Sequence, residues 1–328
     1  MTWIAVNMES SSIFERASLS SIGEKAKHVL VLSSHGKILA SFSSAVYLNS
    51  SQKELFWLTA EGDPMHRRGV EVRGVLPGPA KGSTYRIQDG ALELEGGFQL
   101  DLNLPDVWRP ECVRSEGLPD LSEISQTLLA TMTSLEDFPS PKGFGCFLPE
   151  IAHMVGDGSA PLEIYPESPV LHLAWPSIRE FITAVSAHDH AQALQSASQL
   201  IGLGEGLTPS GDDFVGGILF TWKTLAGVYK KSSEFSQGNL ESLLAHAKRN
   251  TNIISYTILA DHVFGHGSEV LHQLINALLV GEPLERLNNI VSRAVAVGHS
   301  TGWDILAGVL TGMPLWIKEN AAMKVQVT

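Results

Sequence analysis

The stretch Gly202-Leu-Gly-Glu-Gly-Leu-Thr-Pro-Ser-Gly-Asp-Asp-Phe-Val-Gly-Gly-Ile-Leu-Phe220 decides how the second half of this chain is read. Six glycines fall between Gly202 and Gly217, and an apolar run follows at once. A glycine-rich loop feeding a helix lets backbone N–H groups approach a ligand with no Cβ in the way, and the helix dipole adds positive potential at that end. The physical preference is for an anion such as phosphate or carboxylate. No Lys follows the last glycine of the loop, and the G-x-G-x-x-G spacing is absent, so the stretch is neither a P-loop nor a dinucleotide fingerprint.

A purely structural account is available for the same residues. Ser210 and Asp213 have the capping-box spacing, and Thr208-Pro209 reads as an N-cap followed by Pro at the first helical position. One helix start, however, needs one capping acid. This one has adjacent Asp212 and Asp213, two hydroxyls, and the Gly216-Gly217 pair, which costs ~2 kcal/mol of helix propensity relative to Ala. Close approach of another helix or of a ligand would offset that cost.

Further along, Val297-Gly-His-Ser-Thr-Gly-Trp-Asp-Ile-Leu-Ala-Gly308 echoes this design. Aligning Ser210 with Thr301 matches Asp213 to Asp304 and Gly217 to Gly308, an internal quasi-repeat whose two helix starts could face one pocket; a helix-packing motif used twice explains the glycines equally well. His299 adds a titratable group at the second start, able to donate to an anion or to act as acid or base. Ser300 and Thr301 add hydroxyls. Between the two segments, Arg249-Asn-Thr-Asn-Ile-Ile-Ser255 offers Thr251, Asn252 and Ser255 at another helix start, where capping competes with ligand binding. The expected site therefore comprises His299, Ser210 and Asp213 as catalytic groups. Gly206, Thr208, Ser210, Gly211, Asp212, Thr251, Asn252, Ser255, Ser300, Thr301 and Asp304 are expected to contact an anionic substrate. Asp261, His262 and His266 have near-ligand spacing for a metal, but Gly265 interrupts the helix that would align the histidines. No Gly-x-Ser-x-Gly elbow marks a serine hydrolase.

Outward from these segments, the chain after Pro176 changes in character to a series of helices, Ile178–Val185, Ala191–Leu200, Phe214–Tyr229, Leu240–Ala247, Ile253–His262, Ser268–Leu279, Leu284–Val297 and Asp304–Thr311. The region from about His28 to Leu104 instead breaks into short runs rich in Val, Ile, Phe and Tyr, separated by Gly, Asn, Ser and Pro. These runs are Val29–Leu32, Ile38–Phe42, Ala45–Leu48, Glu54–Thr59, Val70–Val75, Thr84–Ile87 and Ala91–Leu94. A helix is expected from Leu121 to Leu135, and the loop Pro139-Ser-Pro141 to Gly143-Phe-Gly145 marks the domain boundary. The fold class is α+β: a β-rich sheet or barrel domain over 1–145, then a mainly α-helical domain over 146–328 carrying the Gly-rich site.

At 328 residues the chain can bury a substantial core, and 44% hydrophobic against 18% charged residues are ordinary globular values. The formal charge of −12 opposes binding to phosphate backbones and anionic lipid, which disfavours nucleic acid and membrane as partners. Cys112 and Cys146 form no zinc-like spacing and no disulfide framework. The start of the chain lacks a basic region followed by an apolar run, and no long apolar stretch occurs, so a cytoplasmic location is expected.

The segments G-L-G-E-G-L-T-P-S-G-D-D-F-V-G-G, T-N-I-I-S and A-V-G-H-S-T-G-W-D-I-L-A-G resemble, in order and spacing, the AllH family, long described only as a domain of unknown function. The N-terminal strands and the region from Leu100-Asp-Leu-Asn103 to Trp108-Arg-Pro110 look similar to that family as well. The resemblance implies a subunit of oxamate carbamoyltransferase that works with two other subunits in anaerobic allantoin, hence purine, breakdown. Its substrates would be small anions, carbamoyl phosphate and oxamate, with the reaction running towards carbamoyl phosphate from oxalurate and phosphate. The resemblance implies no cofactor; the repulsion between Asp212, Asp213 and a bound anion would be answered if one of them caps the helix, holds a cationic partner such as an arginine, or binds a magnesium ion bridging to phosphate. The competing reading is a non-catalytic subunit of the same complex, in which the motifs form a helix interface and a partner chain carries the chemistry.

Overall fold

In the computed structural model, the described residues are 15–103, 107–111, 113, 117–156, 168–232 and 234–325. They fall into two compact units, Met1–Arg109 and Pro110–Thr328.

The first unit is a closed barrel. Strands β1 (Glu15–Gly23), β2 (His35–Ser41), β3 (Ala45–Ser50), β4 (Leu55–Ala60), β5 (Gly69–Arg73), β6 (Thr84–Gln88), β7 (Ala91–Leu94) and β8 (Phe98–Asp101) follow the order β5-β4-β3-β2-β6-β7-β8-β1. Pairing of β1 with β5, Ile22 opposite Val70 and Leu19 opposite Val72, closes the ring, and a bulge lies between Leu19 and Ser21. A short β9 (Val107–Trp108) pairs in parallel with the end of β1. Closure leaves no open edge between the eight strands. Alternation sends Val46 and Leu48, Val70 and Val72, and Leu92 and Leu94 into one core.

One apolar run expected as a strand, Val29–Leu32, is instead the end of helix α1 (Glu24–Leu32). Ala26, Val29 and Leu30 recur at helical spacing and join the barrel core. A run that short carries no period of its own, and the decisive signal lies upstream. Gly23 starts the helix where a Cβ would fall 2.3 Å from the carbonyl oxygens of His66 and Arg67, and Arg67 O accepts from the Lys25 and Ala26 N–H groups.

The second unit is helical: α2 (Leu121–Ser134), α3 (Leu148–Gly156), α4 (Pro169–Ser186), α5 (His190–Ser198), α6 (Ser210–Val228), α7 (Gln237–Asn250), α8 (Ile253–Val263), α9 (Glu269–Val280), α10 (Leu284–Val295) and α11 (Thr301–Val325). The expected α+β class holds. The unit begins at Pro110, earlier than the loop at Pro139–Gly145, because that loop enters a 3-10 turn, Gly143–Phe147, whose Phe144 and Phe147 belong to the helical core. Helix α6 is buried on every side from Ser210 to Trp222, as a central helix must be, and its principal neighbour is α11. Among the described residues no helix is long and apolar enough to cross a membrane.

Candidate functional site

The two glycine-bearing motifs are brought together. A Cβ on Gly217 would lie 2.4 Å from Ile305 O and 3.1 Å from Gly308 Cα, and one on Gly308 would lie 2.1 Å from Phe214 O. Gly312 comes as close to Ile218, where a Cβ would lie 3.1 Å from Ile218 Cα. The helices therefore cross backbone against backbone, which accounts for glycine inside a helix where propensity alone opposes it. The glycines after each helix start match too: a Cβ on Gly211 would strike Leu200 O and one on Gly302 would strike Ala294 O, at 1.9 Å and 2.1 Å. The quasi-repeat in the sequence is thus a structural one.

Because the crossing is so close, the two N-termini meet, and Thr208 Oγ1 is 2.9 Å from Thr301 Oγ1. Two carboxyl groups lie beside this bridge. Asp213 is 3% exposed and Asp304 fully buried, and Oδ2 of each is buried without a hydrogen-bond partner. The hydroxyls of Thr208 and Thr301 lie against Asp213, and those of Ser300 and Ser210 lie against Asp304. Each acid is therefore served by a hydroxyl from the other helix. Burial pushes the Asp213 carboxyl well above the ordinary carboxylate range, and the neighbouring Asp304 pushes it further. Burial likewise raises Asp304, to about 6, against the opposing hydrogen bond from Phe144 N–H.

Asp212 points elsewhere. Its carboxylate accepts from Gly202 N–H at 2.6 Å, from Ser255 Oγ at 2.5 Å, and from the Thr251 hydroxyl. Burial still raises its pKa, but these three donors oppose the shift. Thr251 and Ser255, expected to contact substrate, thus hold Asp212. Asn252 caps α8, accepting from Ile254 and Ser255 N–H, while its Nδ2 donates to Leu207 O at 2.8 Å. It ties the glycine-rich loop to α8.

No capping box forms at α6. The helix starts at Ser210 after Pro209, no side chain caps it, and Asp213 turns towards α11 instead. Gly211 N–H donates to Leu203 O and Asp212 N–H to Pro209 O, so the first helical turn has few donors left. Just before it, the N–H groups of Glu205, Gly206, Leu207 and Thr208 donate to none of the described residues. Gly206 there is exposed, with φ +90°. Ser210 is 8% exposed; Thr208, Ser300 and Thr301 are half-buried; His299 is exposed in the turn before α11.

Sequence reasoning did not anticipate the Lys142–Phe144 loop at this site. Phe144 N–H donates to Asp304 Oδ1 at 2.6 Å, and Gly143, at φ +53°, stands where a Cβ would fall 2.1 Å from that oxygen. The signal is the Gly143-Phe-Gly145 spacing, expected to mark a domain-boundary loop, whose glycines instead admit close contact with Asp304 and Trp303. Cys146 follows on the same turn, its thiol pushed up by partial burial and by the Asp304 and Glu150 carboxylates, which leaves it a poor nucleophile; Cys112 lies outside the described residues.

Among the described residues no three His, Cys, Asp or Glu side chains are placed to hold a metal ion. His262 instead packs against Gly216, where a Cβ would lie 2.5 Å from its Nδ1. A cleft of about 1200 Å³ lies on the barrel, with His35, Lys37, Lys53, Tyr85 and Arg86 among its walls, none of them a residue of the helix-start site.

No solved structure matches the chain. The family match covers only about a third of the sequence and leaves out the N-terminal half, where a likeness was also expected, yet it takes in every expected site residue and the whole crossing of α6 with α11 as far as Met313. The family likeness carried by the three motifs is borne out there: residues 200–313 match the family described as oxamate carbamoyltransferase subunit AllH.

Proposed function

We propose that this chain is a subunit of a carbamoyltransferase and that the meeting point of α6 and α11 binds its small anionic substrates, carbamoyl phosphate and oxamate or a related acceptor. The observation that carries the reading is the convergence of the two motifs, with Thr208 and Thr301 in contact and two buried, unpartnered carboxyl oxygens beside them. The anion is held by the N–H groups of the Glu205–Thr208 loop and by the hydroxyls of Thr208, Ser210, Ser300 and Thr301, with the helix N-termini adding positive potential. His299 approaches from the exposed side as a further donor.

Repulsion between carboxylates and an anion is reduced in two ways. Asp212 is turned away with its carboxylate engaged by three donors, and burial favours the uncharged form of Asp213. Preorganised donors facing a carbonyl under attack stabilise its oxyanion, which carbamoyl transfer requires.

The test is isothermal titration of the full chain with carbamoyl phosphate, phosphate and oxamate, repeated on Thr208→Val and Ser210→Ala. Heat in the wild type that disappears in both variants is the expected result. Equal heat in all three proteins would remove the site.

One observation favours a second reading, a structural subunit. Ser210, Asp213 and Asp304 are buried in this chain, and the helix crossing alone accounts for Gly217, Gly308 and Gly312. A chain of that kind gives no heat with any of the three ligands.

A further inference from the structure

We propose that Asp213 and Asp304 act as a carboxyl pair sharing one proton, which passes a proton from the attacking nucleophile to the nitrogen that leaves the carbamoyl carbon. The inference rests on the function proposed above and assigns its proton chemistry to named atoms.

Four observations lead to it. The two carboxyls come from quasi-equivalent positions of two helices that cross in backbone contact, so their spacing is set by rigid elements and not by loops. Asp213 Oδ2 and Asp304 Oδ2 are both buried with no partner, and an orphaned buried carboxylate oxygen is costly unless a proton or a donor reaches it. The surrounding groups are hydroxyls, of Thr208, Thr301, Ser210 and Ser300, which can accept or donate but bring no positive charge. The titratable neighbours, Asp212 on the same turn of α6 and Cys146 beside Asp304, bring no positive charge either. Two like charges in such a place do not both ionise, and one proton held between them is the low-energy state.

A one-proton pair matches the stoichiometry of phosphorolysis at an N-carbamoyl group. A phosphate oxygen forms a bond to the carbamoyl carbon, and its hydroxyl proton passes to the ionised carboxyl. The C–N bond breaks, its electron pair goes to nitrogen, and the protonated carboxyl gives that nitrogen its proton. The leaving group departs as a neutral primary amide. The pair begins and ends with one proton, and in the reverse direction the two carboxyls exchange roles. His299, exposed on the preceding turn, is not needed for this step.

Two experiments test the proposal. Infrared spectra of the full chain at pH 7.5 should contain a protonated-carboxyl band that is absent from Asp213→Asn; a wild-type spectrum without the band overturns the shared proton whether or not the chain is active. In the assembly with its partner subunits, Asp213→Asn and Asp304→Asn should lower kcat about 10²- to 10⁴-fold with KM little changed. A carbamoyl donor whose leaving group departs without a proton, such as p-nitrophenyl carbamate, should restore most of the rate in Asp213→Asn. A merely structural role gives equal losses with both donors, and that result overturns the proposal. A wild-type assembly inactive with every carbamoyl donor would instead overturn the proposed function, and with it the proton-transfer role, while the infrared band would still decide whether the pair shares a proton.

Discussion

Gly217 and Gly308 occupy equivalent places on α6 and α11 and meet each other, with a Cβ on Gly217 falling 3.1 Å from Gly308 Cα and one on Gly308 falling 3.0 Å from Gly217 Cα. When two equivalent residues of a repeat touch, the local axis relating the repeats passes between them. Asp213 and Asp304 lie one turn nearer the N-termini on the same faces, so the same axis brings them together. The helix-packing account and the ligand-site account of the glycines are therefore not rivals. The same packing brings together the groups of the proposed site.

Gly308→Ala should consequently damage both stability and site. Alanine gains about 1 kcal/mol of helix propensity, but its methyl would stand 2.1 Å from Phe214 O, a main-chain atom that moves only if the helices separate. Overpacking of this kind costs about 1–3 kcal/mol. Denaturant unfolding should show a net loss, accompanied by lost heat on titration with oxamate. A variant as stable as the wild type would mean that the crossing is looser than described.

Asn252 allows the cap to be separated from the loop clamp. Asn252→Ala removes the acceptor for Ile254 and Ser255 N–H and should lower stability by about 1 kcal/mol, the usual value of such a cap. Asn252→Asp keeps the cap and replaces the Nδ2 donor to Leu207 O with a carboxylate oxygen that repels it. Hydrogen exchange should then accelerate in the Gly202–Pro209 loop while α8 stays protected. Unchanged exchange in that loop would assign its order to other contacts.

How far the sequence disclosed this arrangement depended on the range of the interactions. The strand pattern of the barrel and the helical periods of the second half are local signals, and they were readable. The equivalence of Ser210-x-x-Asp213 with Thr301-x-x-Asp304 was readable too, because both copies keep the same order of residue types. That Val29–Leu32 is helical could not be read from four apolar residues, since the deciding contact is Gly23 against the Arg67 carbonyl. The roles of Thr251 and Ser255 depend on the direction of the Asp212 side chain, and the Lys142–Phe144 loop reaches Asp304 across 160 residues. Neither leaves a periodic trace.

Two buried histidines should make the chain sensitive to acid. Burial lowers His262 and His272 to about 4 each, and His272 Nε2 accepts from Gly267 N–H, which requires the neutral ring. The folded-state values lie below the ordinary 6.5, so the unfolded chain binds protons first. Stability from these groups is complete above pH 6.5 and is lost as pH falls towards 4. Each accounts for roughly 3 kcal/mol over that window. Urea unfolding of His272→Gln should therefore lose less stability between pH 7 and 4.5 than the wild type does, by roughly 2 kcal/mol. Parallel curves would mean that His272 is accessible to protonation in the native state.

Asp304 works in the opposite sense over nearly the same range. Its folded-state pKa is raised, from 3.8 to about 6, so here the folded chain holds the proton more tightly. The stability it contributes is fully present below pH 4, is lost as pH rises through 6, and the penalty reaches roughly 3 kcal/mol at pH 7. Asp304→Asn abolishes the ionisation while the amide oxygen can still accept from Phe144 N–H. It also removes one charge that raises Asp213, which acts in the same direction. Relative to the wild type, the asparagine variant should therefore gain stability steadily between pH 4 and 7, by roughly 3 kcal/mol or somewhat more in urea unfolding. The absolute curve of the wild type does not reveal this, because His262, His272, Asp212 and Asp213 contribute to it as well; only the difference between the two proteins isolates the carboxyl. A difference that is flat with pH would mean that the Asp304 carboxyl is ionised at no extra cost in the fold, and the buried, unpartnered environment described for it would then have to be wrong.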